Sequence, residues 1–408
     1  MIASAAVAHQ VHQAAEFGVH SAGPITLKLA EVVARKDRIV DTIRSSSYRT
    51  VEKADAIDFY PAAGVFTAPH RLKIDSTYLD VDKIFLATEM RTTIPAVNGL
   101  DSVPYYTSRT LLDATELPDH LLVVGGGYVG CEFAQMFARF GSTVTVIQRA
   151  ERVLPAEDPD ISAAVTAGMT ADGITVLTGT TCTDAAGRTG HIQLGCSGTE
   201  HTEITGSHLL IAAGRTPNTD ALGLEHLGVQ PDTDGFLPVD EKLRTRAEDV
   251  WALGDVRGGP MFTHTARDDA DIVYRTVFRG QDRSTTGRVV PHAVFTDPEV
   301  GSVGLTEPAA RAAGYDVLIG RQDFKGVVKA RAIGNTRGLV KFVADAKMDH
   351  ILGRHIAGPD AGDLVHEAVI AMTCGATYTQ LASAIHIHPT LAEGVNTAAG
   401  GIHREVGT

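Results

Sequence analysis

Long apolar runs, clustered cysteines and an excess of positive charge are all missing from this 408-residue sequence. No stretch of about 18 or more apolar residues occurs, which argues against a membrane span. Met1 is not followed by a basic segment and an apolar core, so no signal peptide is expected and a cytoplasmic location is. A net charge of -13 with a pI near 5.7 argues against nucleic acid or an anionic membrane as the main partner. The four cysteines, Cys131, Cys182, Cys196 and Cys374, form no C-x-x-C or other close pair. Neither a disulfide framework nor a metal site is therefore expected, and each cysteine reads as a packed or incidental thiol. What is present is a 44% hydrophobic chain of near-zero mean hydropathy, long enough for two or three domains.

Leu121 to Arg149 carries the strongest signal. Leu121 to Val124 read as a short buried strand, and Gly125, Gly127 and Gly130 follow with the G-x-G-x-x-G spacing of a pyrophosphate-binding turn. Gly125 allows the tight turn, Gly127 lets the backbone approach the pyrophosphate, and Gly130 lets the helix pack on the strand. The helix N-terminus then faces the negative charge. Val129, Phe133, Met136 and Phe137 recur at helical spacing, Gly141 stops the helix, and Val144 to Ile147 form the next strand. An acidic residue about 20 positions after the glycines would hold the 2′-hydroxyl of NAD. Gln148 and Arg149 stand there instead, with Arg152 close behind, so NADPH is favoured and NADH remains possible.

Ile2 to Phe17 is helical by composition with Gly18 as a stop and no capping side chain before it; a longer helix over Leu27 to Lys53 is expected to pack against it. Short strands are expected between Asp58 and Thr88, then at Ile174 to Leu177, Ile192 to Gly195 and Leu209 to Ala212, with closure at Gly214-Arg215-Thr216-Pro217-Asn218. Val250 to Leu253 read as a strand ending in Gly254-Asp255, where a carboxylate could accept a sugar hydroxyl or cap the segment after Gly259. Strands at Val340 to Val343 and His350 to Ile356, a helix from Ala361 to Thr373, and His388 with Glu393 five residues later complete the chain. A histidine oriented by a carboxylate is a candidate base.

Together, GGGYVGCE, GRTPN, the strand ending at Asp255, FTDPEVGSVGLTE and HPTLAEG resemble the class I pyridine nucleotide-disulfide oxidoreductases, in family order over nearly the whole chain. That resemblance implies an α/β fold with two Rossmann-like nucleotide-binding domains, the FAD domain interrupted by the NAD(P) domain, and a C-terminal α+β dimerisation domain. The implied boundaries are 1–117 and 219–287 for the FAD domain, 118–218 for NAD(P) and 288–408 for dimerisation. It further implies FAD as cofactor, hydride transfer from NAD(P)H through FAD to a disulfide or small electrophile, and a homodimer. Tyr128 would gate the nicotinamide, Glu132 would meet the flavin, Asp255 would contact the ribityl chain, and His388 with Glu393 would act on thiols of the partner subunit.

Two departures qualify this. The family's first Gly-rich turn and its Cys-x4-Cys pair have no counterpart here, as though roughly 30 to 50 residues, one βαβ start, were missing. An incomplete FAD sheet, weakened flavin binding and a catalytically incomplete fragment are the expectations, with a shortened NADPH-binding dimeric sensor as the alternative. Secondly, Ala87-Thr88-Glu89 places Glu where the family has Gly beside the flavin. Mercury reduction is disfavoured because the chain ends without a cysteine pair and keeps His388. Lipoamide chemistry is disfavoured because that role uses NAD.

Overall fold

The computed structural model describes residues 1–23, 26–198 and 202–403, and divides into two compact units. The first comprises Met1–Lys36, Ile94–Gly214 and Val289–Thr408, the second Asp37–Thr93 and Arg215–Arg288.

In the first unit a four-stranded parallel sheet runs in the order His208–Ile211, His120–Val124, Thr143–Ile147, Thr175–Leu177. The Tyr128–Phe140 helix connects its two central strands, and Gly130, Cys131, Phe133, Ala134, Met136, Phe137 and Phe140 are buried along one broad face. Such a stripe at 3.6-residue period is what lets a helix cover a sheet. Gly141, at φ 112°, ends it in the left-handed conformation. The Ile2–Gln13 helix packs Ala5 into the same core and tightens into a 3-10 turn, Ala14–Phe17, so the expected helix holds with its last turn overwound. Two strands absent from the sequence reading, Thr181–Arg188 and Thr202–Gly206, flank His191–Ser197 in a three-stranded antiparallel sheet. Residues from Pro291 onwards build a five-stranded antiparallel sheet in the order Pro291–Val294, Glu299–Gly304, Ile351–Gly358, Leu339–Asp345, Val317–Asp323. The expected Ala361 to Thr373 helix is two helices, Ala361–Leu364 and His366–Thr373.

The second unit contains an antiparallel meander, Gly64–Ala68, Arg71–Ile74 and Thr77–Asp80, and a parallel pair of Ile84–Leu86 with Val250–Ala252. Phe66, Ile84, Leu86, Leu224, Leu237, Val250 and Ala252 form its core. The helix Leu29–Glu52 corrects one expectation. Leu29 and Val33 are buried beside Ala5, but Ile39, Val40 and Ile43 face solvent, so only its first turns pack as predicted.

Cys131 packs as its place on an amphipathic helix predicts, whereas the contact between two other cysteines was not legible. Cys131 is buried with its thiol against the Gly126 carbonyl at 3.4 Å, and burial, aided by the Glu132 charge, pushes that thiol up to about 12. Cys182 and Cys196, read as unpaired, face each other with Sγ atoms 3.3 Å apart.

Candidate functional site

The His120–Val124 strand delivers the chain into a turn that only glycine accommodates at two of its three positions. Gly125 has φ 114°, and a Cβ there would lie 2.2 Å from the Ala212 carbonyl oxygen. A Cβ on Gly130 would lie 1.9 Å from the Gly125 oxygen, so the helix can sit this close only without a side chain. Around Gly127 a Cβ would meet nothing within 4 Å. The turn is therefore closed on the protein side and open where a pyrophosphate would approach the amides at the helix start. Gly214, at φ 127°, lies exposed two residues beyond Ala212.

Gln148 is turned inwards rather than towards a ribose. It is 8% exposed, its Oε1 accepts the Gly126 N–H at 3.3 Å and its Nε2 donates to the Arg152 carbonyl at 3.2 Å. The two arginines differ. Arg149 is exposed, whereas Arg152 is half-buried and donates to the Pro155 carbonyl at 3.0 Å. Arg149 is thus the freer of the two to reach a 2′-phosphate.

Tyr128 and Glu132 stand one helical turn apart on the helix that begins at Gly127. The Tyr128 hydroxyl donates to Glu157 Oε1 at 2.7 Å, and its ring stacks on His292 at 5.6 Å between centroids. Glu157 also accepts from His292 Nε2 at 2.6 Å and from the Ser302 hydroxyl at 2.7 Å. Burial alone would raise the Glu157 carboxyl, but these hydrogen bonds and the His292 charge overcome it and hold the group at about 2. Burial, then the Glu157 charge and hydrogen bond, push the Tyr128 hydroxyl up. Glu157 and His292 lie outside the motifs the sequence offers and meet Tyr128 only through the fold, and Ser302, within FTDPEVGSVGLTE, joins them through Glu157. A depressed carboxyl adds stability above its unfolded value of 4.5 and loses it as the pH falls through the folded value. Acid titration of the folded protein is therefore expected to show about 3 kcal/mol lost between pH 5 and 2, a component that Glu157→Gln abolishes in pH-dependent denaturant melts.

The Glu132 carboxylate is partly buried and accepts the Phe295 N–H at 2.9 Å; burial raises its pKa against that hydrogen bond.

In the second unit the parallel strands end side by side, with Leu253 N–H donating to the Leu86 carbonyl at 3.0 Å. Thr88-Glu89 and Gly254-Asp255 therefore emerge together at their C-terminal ends, where doubly wound folds bind ligands. Asp255 lies on a 3-10 turn, Gly254–Arg257. The helix after Gly259 starts at Thr263 with Phe262 before it and no side-chain cap, so the capping reading of Asp255 is overturned. Buried Asp269 fixes the turn, accepting from Gly254 N–H at 2.9 Å and from Arg257 Nε at 2.6 Å. Thr88 Oγ1 is buried without a protein partner, and Glu89 is exposed at φ 57°, its carbonyl accepting from Asn218 N–H at 3.1 Å. A site with an orphaned hydroxyl and an adjacent carboxylate suits a polyhydroxylated ligand.

His388 Nδ1 lies 2.8 Å from Glu393 Oε1, and Glu393 Oε2 accepts the Thr390 N–H at 3.0 Å. The His388 hydrogen bond, then the Thr390 amide, lower the Glu393 pKa. A carboxylate acceptor fixes the Nδ1–H tautomer and leaves Nε2 with a lone pair. The flanking Ile385 and Ile387 are 101% and 77% exposed.

Residues 1–270 match the family described as pyridine nucleotide-disulphide oxidoreductase. The chain belongs to this family. Residues 290–399 match the family's dimerisation domain. Members are oxidoreductases acting on sulfur groups, FAD-dependent with NAD(P)H as electron donor. Among its relatives, the dihydrolipoyl dehydrogenase of Halobacterium salinarum is 34% identical over 98% of this chain and 85% of that protein. The probable pyridine nucleotide-disulfide oxidoreductase RclA of Escherichia coli is 32% identical over 93% and 86%. A mercuric reductase of Lysinibacillus sphaericus is 32% identical over 93% and 69%. The solved structure of RclA, a HOCl-induced flavoprotein disulfide reductase, superposes with a TM-score of 0.87 at 30% identity, covering 98% of this chain and 89% of that one. Among the described residues no helix is long and apolar enough to cross a membrane.

Proposed function

We propose that the family member in hand is a cytoplasmic, homodimeric NADPH-dependent flavin oxidoreductase that reduces a disulfide or another small electrophile. The observation that carries this reading is the pairing of Tyr128 and Glu132 on one helical face, directly after the glycine turn. FAD, when bound, supplies the two-electron chemistry between nicotinamide and acceptor. The chain's own residues bind and orient. Gly125, Gly127 and Gly130 admit the pyrophosphate, Gly214 lines the same end of the sheet, and Arg149, with Arg152 behind it, pairs with the 2′-phosphate. Tyr128 covers the nicotinamide and is braced from behind by Glu157. Glu132 sets a carboxylate at the flavin side of the helix, and Asp255 and Thr88 take ribityl hydroxyls. His388 Nε2 moves a proton at the acceptor, with Nδ1 anchored by Glu393. The exposed isoleucines beside His388 support a partner subunit packing there.

A specific observation favours a second reading, an NADPH-binding dimeric sensor without redox catalysis. Within the 408 residues no Cys-x4-Cys occurs, and Cys374 is the single exposed cysteine. Purification decides between the readings. A protein that carries flavin absorbance and is reduced by NADPH upholds the enzyme, and NADPH binding without flavin upholds the sensor. Arg149→Ala is expected to weaken NADPH about 10- to 100-fold, the worth of one or two charge-assisted hydrogen bonds, while leaving NADH unchanged. Titration of both nucleotides checks it, and an unaltered NADPH:NADH preference would remove Arg149 from the site.

A further inference from the structure

Cys182 and Cys196 have no place in the proposed reaction, yet they meet across neighbouring antiparallel strands. The register sets Cys196 opposite Cys182, the irregularity after Gly195 having passed over Thr183, and the Sγ atoms lie 3.3 Å apart. Both are buried, Cys182 at 7% and Cys196 at 0% exposure, in an apolar cluster with Leu100, Ile147, Ile192 and Ile211. Opposed cross-strand side chains are close enough for bridging, and the sulfur atoms need to approach by only about 1.3 Å to reach bonding distance. The hydrogen bond between them divides their roles. It lowers the Cys196 thiol against its burial and, with burial, raises that of Cys182.

We propose that Cys182 and Cys196 form a reversible dithiol–disulfide couple whose oxidant is a peroxide. Cys196 sulfur attacks the peroxide oxygen, the O–O bond breaks, and an alcohol or water leaves with the thiol proton, giving the Cys196 sulfenic acid. Cys182 sulfur then displaces the sulfenic oxygen, which departs as water with the Cys182 proton. Two electrons pass from the thiols to the peroxide, and one S–S bond replaces two S–H bonds. The short separation favours this closure over further oxidation of Cys196.

The test uses the whole protein, reduced, freed of excess thiol and treated with hydrogen peroxide while folded. Thiol titration after denaturation is expected to fall from four cysteines to two, Cys131 and Cys374. Peptide mapping should find a Cys182–Cys196 crosslink lighter than its two peptides by two hydrogen atoms, and a dithiol reductant should restore all four thiols. Cys374→Ser, which removes the exposed thiol, should leave the crosslink intact. Cys182→Ala should abolish it and direct oxygen onto Cys196; should that variant not fold, the wild-type peptide map decides alone. Four thiols surviving peroxide, losses confined to Cys374, or a crosslink that forms only in unfolded protein would overturn the proposal.

Discussion

Gly127→Ala is expected to lose NADPH binding while keeping the stability of the parent, and Gly130→Ala to lose both. The contrast follows from where each new methyl would go. At Gly127 the backbone has φ -79° and ψ -170°, which any residue adopts, and no protein atom lies within 4 Å of a built Cβ. The methyl would project into the space that the pyrophosphate needs against the helix amides, displacing the ligand and not the protein. Loss of one or two charge-assisted hydrogen bonds weakens binding about 10- to 100-fold. At Gly130 the methyl would meet the Gly125 carbonyl oxygen at 1.9 Å, and backbone on both sides must give way. Overpacking of this kind costs about 1–3 kcal/mol, and the movement opens the turn itself. Calorimetric titration with NADPH and thermal melts of both variants separate the two effects. Undiminished NADPH affinity in Gly127→Ala would place the nucleotide elsewhere.

The glycine turn was legible because its meaning is local: strand, turn, helix and second strand fit within about thirty residues, and each glycine acts on near neighbours. His388 and Glu393 were legible for the same reason, five residues apart and hydrogen-bonded in the fold. What escaped the sequence acts at long range. Glu157 reaches His292 across 135 positions, so nothing along the chain could mark either as a support for Tyr128. Asp269 was hidden differently, since one more aspartate in a charged helix reads as solvated until Gly254 and Arg257 are seen to donate to it. Gln148 stands where the sequence offers no acidic partner for a ribose, and its amide holds Gly126 and Arg152 instead. Helix periodicity likewise predicted a packed face for Val40 and Ile43 that the fold leaves open. Periodicity reports which residues can share a face, and says nothing of what arrives to cover it.

The segment that braces Tyr128 continues into a buried ion cluster, and Lys341→Met there is expected to destabilise the first unit by about 3–5 kcal/mol. Lys341 Nζ lies 2.8 Å from Asp158, 2.7 Å from Asp160 and 2.7 Å from Glu307, with Lys341 2% and Asp158 0% exposed. Burial alone would lower the lysine pKa, but hydrogen bonds to the three carboxylates raise it, and burial of Asp160 and Glu307 is likewise overcome by their cations. Removing the ammonium leaves Asp158 buried against two further carboxylates, with the Glu307 and Asp160 amides as its remaining donors among the described residues. The partners show why the loss would reach the glycine turn proposed to hold the nucleotide. Asp158 caps the Pro159–Ala171 helix, Lys341 lies on the Leu339–Asp345 strand, and Glu157 beside them joins Tyr128 to His292 on the Pro291–Val294 strand. Three residues of this segment, Glu157, Asp158 and Asp160, thus fasten the parallel-sheet side of the unit to the C-terminal sheet. Denaturant melts of Lys341→Met should show the lost stability at neutral pH, and NADPH titration should show weaker binding even though Lys341 is not expected to touch the nucleotide. A variant as stable as the parent at neutral pH would overturn this role for Lys341.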